Sequence, residues 1–192
     1  MTEEWVLPAA MAERVRRFAA SGAAPATPRV AATVVLLRPP FEVYLVRRAA
    51  TMAFASGMYA FPGGSVEPSD ASIAAAAVRE VLEETGVLLT ADALVPWSRW
   101  ITPEFEPRRF DAYFFLAALP PGQSARTVGG EADHALWRSP AAALELPMLP
   151  PTSRTLRELA QYSTVEEALA AAAGRDATKP ICPRVVGDRL VY

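Results

Sequence analysis

The chain has 192 residues and is short of several things. It holds one cysteine, Cys182, which excludes an internal disulfide and a cysteine-built zinc cluster. With no base or histidine beside it in sequence, Cys182 reads as an inert buried thiol. His134 is the only histidine and falls in a strand-like run, where a packed or rim histidine is expected. Lys179 is the only lysine among 19 basic residues, so arginine carries the positive charge. Neither sign is in excess: 19 bases against 21 acids leave a formal charge of −2. That balance gives no reason to expect a nucleic-acid or membrane partner. No apolar run approaches the roughly 20 residues of a membrane span. The N-terminus places Glu3 and Glu4 before Trp5 and shows no basic segment followed by an apolar one. Arg189–Tyr192 is neither a lipidation signal nor a peroxisomal address. These absences predict a soluble cytoplasmic protein.

What is present fits one domain over 1–192, with no repeat and no second composition regime. It divides into an N-terminal helix and linker (1–28), a core (29–145) and a helical C-terminal part with a tail (146–192). Met11, Val15 and Phe18 form one stripe and predict a helix over 9–20. Residues 29–38 form an apolar, β-branched run that reads as a buried strand. Residues 42–48 read as its antiparallel partner across the Pro39-Pro40 turn. Phe61-Pro62-Gly63-Gly64 predicts a sharp turn with unusual backbone angles. Residues 70–85 predict a helix capped by Asp70 or Ser72 and closed at Gly86. Strands follow at 93–101, 109–119 and 133–138, the second apolar and aromatic enough to be central. A small helix opens at Ser139-Pro140. Two more cover 152–160, capped by Thr152 or Ser153, and 164–173, capped by Ser163 or Thr164. Residues 181–192 read as a final strand or an extended tail. The class is α+β.

Most of the chemical information lies in 79–87, Arg-Glu-Val-Leu-Glu-Glu-Thr-Gly-Val. On a helix Glu80, Glu83 and Glu84 project from one face, while Val78, Val81 and Leu82 point elsewhere and can bury. Three clustered carboxylates repel unless compensated, and Arg79, four residues before Glu83, cannot neutralise all three. Hard oxygen ligands on one face suit Mg²⁺ or Mn²⁺ with waters and substrate phosphates completing the shell. The plain alternative is a solvated acidic face. Residues 64–87 hold five acids and one base, so a near-neutral total conceals one acidic site in a mildly basic remainder.

This segment resembles the signature of the Nudix hydrolases, G-x5-E-x7-R-E-U-x-E-E-x-G-U, with U a bulky aliphatic residue. The second half matches at every specified position from Arg79 to Val87. The first half departs twice: Asp70 stands where the family has Glu, and eight residues rather than seven separate it from Arg79. An extended loop before the helix accounts for this and leaves Asp70 without an assigned role. The resemblance implies a Nudix-type α/β/α sandwich with a mixed sheet, plus an N-terminal helix and C-terminal helices. It implies water attack on phosphorus in the pyrophosphate of a nucleoside diphosphate joined to another moiety. Glu80, Glu83 and Glu84 would hold Mg²⁺ or Mn²⁺, the Gly64 backbone would approach the metal, and Arg79 would orient the carboxylates. Such enzymes often take a general base from a loop outside this segment. Glu131 is the first candidate, with a solvent-exposed loop glutamate as its plain reading, and Glu104 and Glu106 are weaker competitors. Glu83, Glu84, Glu131 and Arg79 make up the expected catalytic set.

The preceding stretch resembles Nudix enzymes that split coenzyme A: Arg48-Ala49, Ala53, Gly57 and Phe61 to Gly64 fall in their register, with Ala53 replacing an Arg. Arg108-Arg109-Phe110 and Trp137 to Pro140 resemble a divergent subgroup that also lacks that Arg. Arg48, Arg108, Arg109 and Phe61 are the substrate-binding candidates, guanidinium groups being suited to phosphate oxygens; ordinary surface arginines are the alternative. Trp97, Trp100 and Phe105 read as core or rim packing, with stacking on an adenine as the sharper option. Coenzyme A or an acyl-CoA is the first substrate; ADP-ribose, NADH or a nucleotide sugar is the second. A nucleotide-binding module without catalysis is a different class, but it has no need of the full Arg79-Glu80-Glu83-Glu84 set. Homodimers are common in the family, and the helices at 9–20 and 152–173 are candidate contact surfaces.

Overall fold

A computed structural model describes residues 3–49, 56–128 and 132–192. Strand β1 (Glu4–Val6) and helix α1 (Ala9–Ser21) lead into β2 (Arg29–Arg38) and β3 (Glu42–Arg48). Two short strands follow, β4 (Tyr59–Ala60) and β5 (Gly63–Ser65). Helix α2 (Ile73–Thr85) precedes β6 (Val95–Ile101), β7 (Phe110–Ala118) and β8 (Ala132–Arg138). Helices α3 (Pro140–Ala143), α4 (Pro150–Leu159) and α5 (Val165–Ala173) come next. Strands β9 (Pro180–Ile181), β10 (Arg184–Val186) and β11 (Arg189–Val191) end the chain.

The main sheet is mixed and runs β4-β3-β2-β7-β6-β9, with β5 paired to β2 and β8 to β3. The expected β2–β3 hairpin forms, placing Leu37 opposite Val43. β7 lies inside the sheet, parallel to β2 and antiparallel to β6. The near-continuous apolar run of β2 is explained by burial on both faces. Val35 and Leu37 pack with Leu156, Leu159 and Ala168 of the C-terminal helices. Val34 and Leu36 pack with Ala76, Ala77 and Val81 of α2. Alternate residues of one strand thus feed two cores, and the result is the α/β/α sandwich.

Some boundaries differ from expectation. α2 begins at Ile73, because Ser72 is the cap and its hydroxyl accepts from the Ala75 N–H at 3.1 Å. Asp70 lies outside the helix. α4 begins two residues early, at Pro150, since proline needs no N–H in a first turn; neither Thr152 nor Ser153 caps it. α5 starts with a reciprocal cap: Thr164 accepts from the Glu167 N–H at 3.1 Å, and Glu167 accepts from the Ser163 N–H at 2.8 Å. Leu82, expected to bury, is 41% exposed. Cys182 is exposed rather than buried. The tail is a β10–β11 hairpin, and β1 adds to its edge with Trp5 opposite Leu190. β1 escapes a sequence reading because three residues carry too little pattern and its partner lies at the other end of the chain.

Candidate active site

Helix α2 crosses one face of the sheet beside β5 and β2. Ala76, Ala77, Val81 and Thr85 bury its inner stripe, and Gly86, in the left-handed region at φ 72°, ends it. That orientation turns Arg79, Glu80, Glu83 and Glu84 toward a cleft of about 550 Å³. Glu80 and Glu83 line it directly, together with Gly63, Gly64 and Arg79. Glu84 lies at its edge, where the carboxylate accepts from the Gly63 N–H at 3.1 Å. Burial pushes the phenol of Tyr44 above its usual value; the Thr127 hydroxyl opposes the rise and the charge of Glu84 adds to it.

Arg79 is the hub. One terminal nitrogen bonds Glu80 at 2.9 Å and Glu83 at 3.2 Å. The other bonds Asp70 at 2.9 Å and the Ser65 carbonyl at 3.1 Å, and Nε reaches the second Asp70 oxygen at 3.1 Å. The grip is bidentate on Asp70, a geometry only a guanidinium offers. The hydrogen bonds that Arg79 donates to Asp70 dominate and hold the Arg79 pKa well above its ordinary value. Asp70 therefore has a role that its position in the sequence left unassigned: it anchors the arginine that arranges the glutamates. Its side chain is 6% exposed and also accepts from the Glu67 N–H at 2.8 Å. The longer loop brings a shorter acid to the same guanidinium.

Arg79, and after it the Glu67 N–H, lowers the Asp70 pKa. A carboxylate with a depressed folded-state value stabilises the fold above its unfolded value, near 3.9, and that contribution fades as pH falls through the folded value. Asp70→Asn should therefore melt lower than wild type at neutral pH, and the two melting curves should converge in strong acid. Loosening a residue that orients ligands should lower kcat/KM by about 10–100-fold. Thermal melts across pH, with rates at pH 7, check both outcomes.

The donors fit a hard divalent cation. Glu80 and Glu84 meet Gly64 and Gly63, Glu83 lines the cleft beside them, and among the described residues no cysteine or histidine lines it. A Cβ on Gly64 would fall on the Glu80 carboxylate, so the absent side chain is what allows Glu80 to sit there. Among the described residues no three Asp, Glu, His or Cys side chains are gathered closely enough to enclose a metal unaided; Arg79 holds Glu80 and Glu83 instead.

Of the other candidates, Arg48, Arg108 and Phe61 line the cleft. Phe61 is buried and meets Phe114 edge-on at 6.5 Å. Arg109 serves another end. Its guanidinium donates to the carbonyls of Thr102 at 3.0 Å and Ala26 at 2.8 Å, outside the cleft lining. Glu131 and Ala53 lie outside the described residues. The loop leading to Glu131 is tied to α2: the Val128 N–H donates to the Glu84 carbonyl at 2.9 Å and the Arg126 N–H to the Thr85 carbonyl at 3.1 Å. Glu104 is exposed, and Glu106 is buried against Arg14 at 3.0 Å. His134 is exposed on β8, edge-on to Tyr59 at 6.4 Å. Trp97, Trp100 and Phe105 are all buried, as packing residues should be, though Trp100 and Phe105 also reach the cleft wall.

The geometry agrees with comparisons to known proteins. Residues 27–159 match the NUDIX domain family, a span that holds β2 to β8, α2 and α4. Nudix hydrolase 7 of Caenorhabditis elegans is 26% identical over 211 residues, covering 85% of this chain and 71% of that protein. Nudix hydrolase NudL of Cronobacter sakazakii is 47% identical over 53 residues, 28% of each chain. A NUDIX hydrolase structure from Alicyclobacillus acidocaldarius superposes with a TM-score of 0.69 at 29% identity, covering 75% of this chain and 96% of that one. That family generally uses divalent metal ions. With its acidic helix set by an arginine hub over a two-glycine strand, the chain belongs to the Nudix family of hydrolases, which split pyrophosphate bonds.

Proposed function

We propose that the substrate is coenzyme A or an acyl-CoA, cut at its pyrophosphate in the presence of Mg²⁺ or Mn²⁺ in the cytoplasm. The observation that carries this reading is the form of the cleft. One cavity joins the carboxylate face, the Arg48 and Arg108 side chains and an apolar wall. A long ligand, anionic in the middle and less polar at one end, matches that sequence of surfaces. The resemblance of 48–64 to coenzyme A-splitting enzymes supports it independently.

In the reaction, oxygen from water bonds to one phosphorus. The bond from that phosphorus to the bridging oxygen breaks, and the bridging oxygen leaves on the other phosphate. Glu80, Glu83 and Glu84 would hold the cation, which neutralises phosphate charge and lowers the pKa of bound water. Arg79 keeps the glutamates in place through its bonds to Glu80 and Glu83. Arg48 and Arg108 meet phosphate oxygens, and Glu131 takes the proton from the attacking water.

A substrate panel with each cation tests the reading. Release of adenosine 3′,5′-bisphosphate from coenzyme A is the expected result. Turnover of only ADP-ribose, NADH or a nucleotide sugar replaces the substrate and leaves the hydrolase. No turnover of any diphosphate, with Glu84→Gln indistinguishable from wild type, makes the chain a binding module.

A further inference from the structure

Part of the cleft wall is built where the two chain termini meet two internal segments. Trp5, Met11, Phe105, Leu149, Pro150 and Leu190 line it, from four separate stretches of sequence. Leu7, Phe105 and Leu190 are buried together in a small core of their own, with Trp5 and Met11 packed against it. Trp5 and Leu190 face each other across the β1–β11 pair. The segment that carries Trp5 and Met11 is pinned at three places. β1 is hydrogen-bonded to β11. Arg14 bonds the buried Glu106 at 3.0 Å. Glu3 pairs with Arg157 at 3.2 Å and Arg154 at 3.7 Å. Such fastening holds a wall in place rather than a loose tail.

The wall offers ring faces and hydrocarbon. Three polar side chains stand among its residues: Glu106 is engaged with Arg14, the Thr102 hydroxyl accepts from the Phe110 N–H at 3.0 Å, and Thr152 is buried. A nucleobase or sugar placed here would give up water without a full set of replacement bonds, which is costly for every polar group left unmatched. A hydrocarbon chain has no polar groups to match, and it gains by leaving water. We infer that this wall is an acyl subsite: Trp5, Met11, Phe105 and Leu190 receive the hydrocarbon chain of a CoA thioester while its pyrophosphate lies at the carboxylates. The inference rests on the coenzyme A reading above and adds a chain-length selectivity to it, set by residues outside the carboxylate helix.

The test is kcat/KM for the full chain against free coenzyme A and a series of saturated acyl-CoAs from two to twelve carbons, with Mg²⁺ or Mn²⁺. The expected result is a rise with chain length of up to about four-fold per added methylene over the first few, levelling once the cavity is filled. The rise should appear in KM. In Trp5→Ala and in Met11→Ala the slope should flatten, so that the ratio of dodecanoyl to acetyl substrate falls by about ten-fold or more. Thermal melts confirm that both variants fold, and the second variant decides the matter if the first does not. Equal kcat/KM along the series, or a slope unchanged in both folded variants, overturns the acyl subsite and leaves coenzyme A hydrolysis standing. Turnover of other diphosphates with no coenzyme A compound cut overturns the substrate reading, and the subsite with it.

Discussion

Glu84→Gln should abolish most of the activity while leaving the protein as stable as before, or more so. The carboxylate accepts a hydrogen bond from the Gly63 N–H at 3.1 Å. An amide oxygen can accept the same bond, so this contact between α2 and β5 survives while the charge is lost. Removing one negative charge from beside Glu80 and Glu83 relieves repulsion. The same charge is what a divalent cation needs. Metal stabilisation of a phosphoryl transition state is worth several kcal/mol, and each 1.36 kcal/mol is a factor of ten, so kcat should drop by about 10²–10⁴-fold. Added Mn²⁺ should raise the melting temperature of wild type, because a ligand that binds only the folded state stabilises it, and raise that of the variant much less. Near wild-type turnover in Glu84→Gln would remove the residue from the metal set. The same rate measurement on Glu131→Gln separates the base from the ligands: a wild-type kcat there excludes Glu131 as the proton acceptor.

The parts of this site that could be read from sequence are those written in local spacing. Residues i, i+3 and i+4 of a helix share a face whatever surrounds them, so Glu80, Glu83 and Glu84 could be placed together before any fold was known. The β2–β3 pair and the central β7 are legible for a similar reason: apolar runs bounded by turns announce strands buried on both faces. Long-range pairing is not written that way. Asp70 reaches Arg79 across a loop, and the spacing alone argued against it; the one signal was an acid just ahead of a helix carrying a lone arginine. Arg109 reads as a phosphate ligand by type, yet two backbone carbonyls claim its guanidinium. Leu82 illustrates the limit of a face argument, because a helix on a sheet buries only the stripe its neighbours cover, and Leu82 falls outside it. The apolar wall of the cleft needs both ends of the chain at once. No window along the sequence contains Trp5 and Leu190 together.

Gly63 and Gly64 read alike in sequence, as a turn behind a proline, and should fail in opposite ways when each is changed to alanine. Both lie in β5 and pair with β2, Gly63 opposite Thr33 and Gly64 opposite Ala32. Gly63 has φ 155°, and a Cβ there would stand 2.7 Å from the Thr33 Cα and collide with the Ala32 carbonyl oxygen. Those atoms are backbone of a strand packed on both faces, and they cannot withdraw. Gly63→Ala should therefore cost about 1–3 kcal/mol of stability, the usual penalty for forcing extra volume into a packed site, and lower the melting temperature by several degrees. Gly64 needs no unusual backbone angle. Its Cβ would meet the Glu80 carboxylate, 2.5 Å from Cδ and 2.6 Å from Oε2. That is the far end of a flexible side chain, bonded to Arg79 at 2.9 Å, so the fold can yield by swinging Glu80 off that bond, at a cost to stability of about 1 kcal/mol. The carboxylate is then displaced by roughly an ångström, and a misplacement of that size at a reacting centre costs about 10²-fold in rate. Melting temperature and kcat/KM measured on both variants distinguish the two modes. A Gly64→Ala protein that is fully active would show that Glu80 does not have to rest on the β5 backbone; one that is inactive but unfolded would show that the strand, not the carboxylate, demands the glycine.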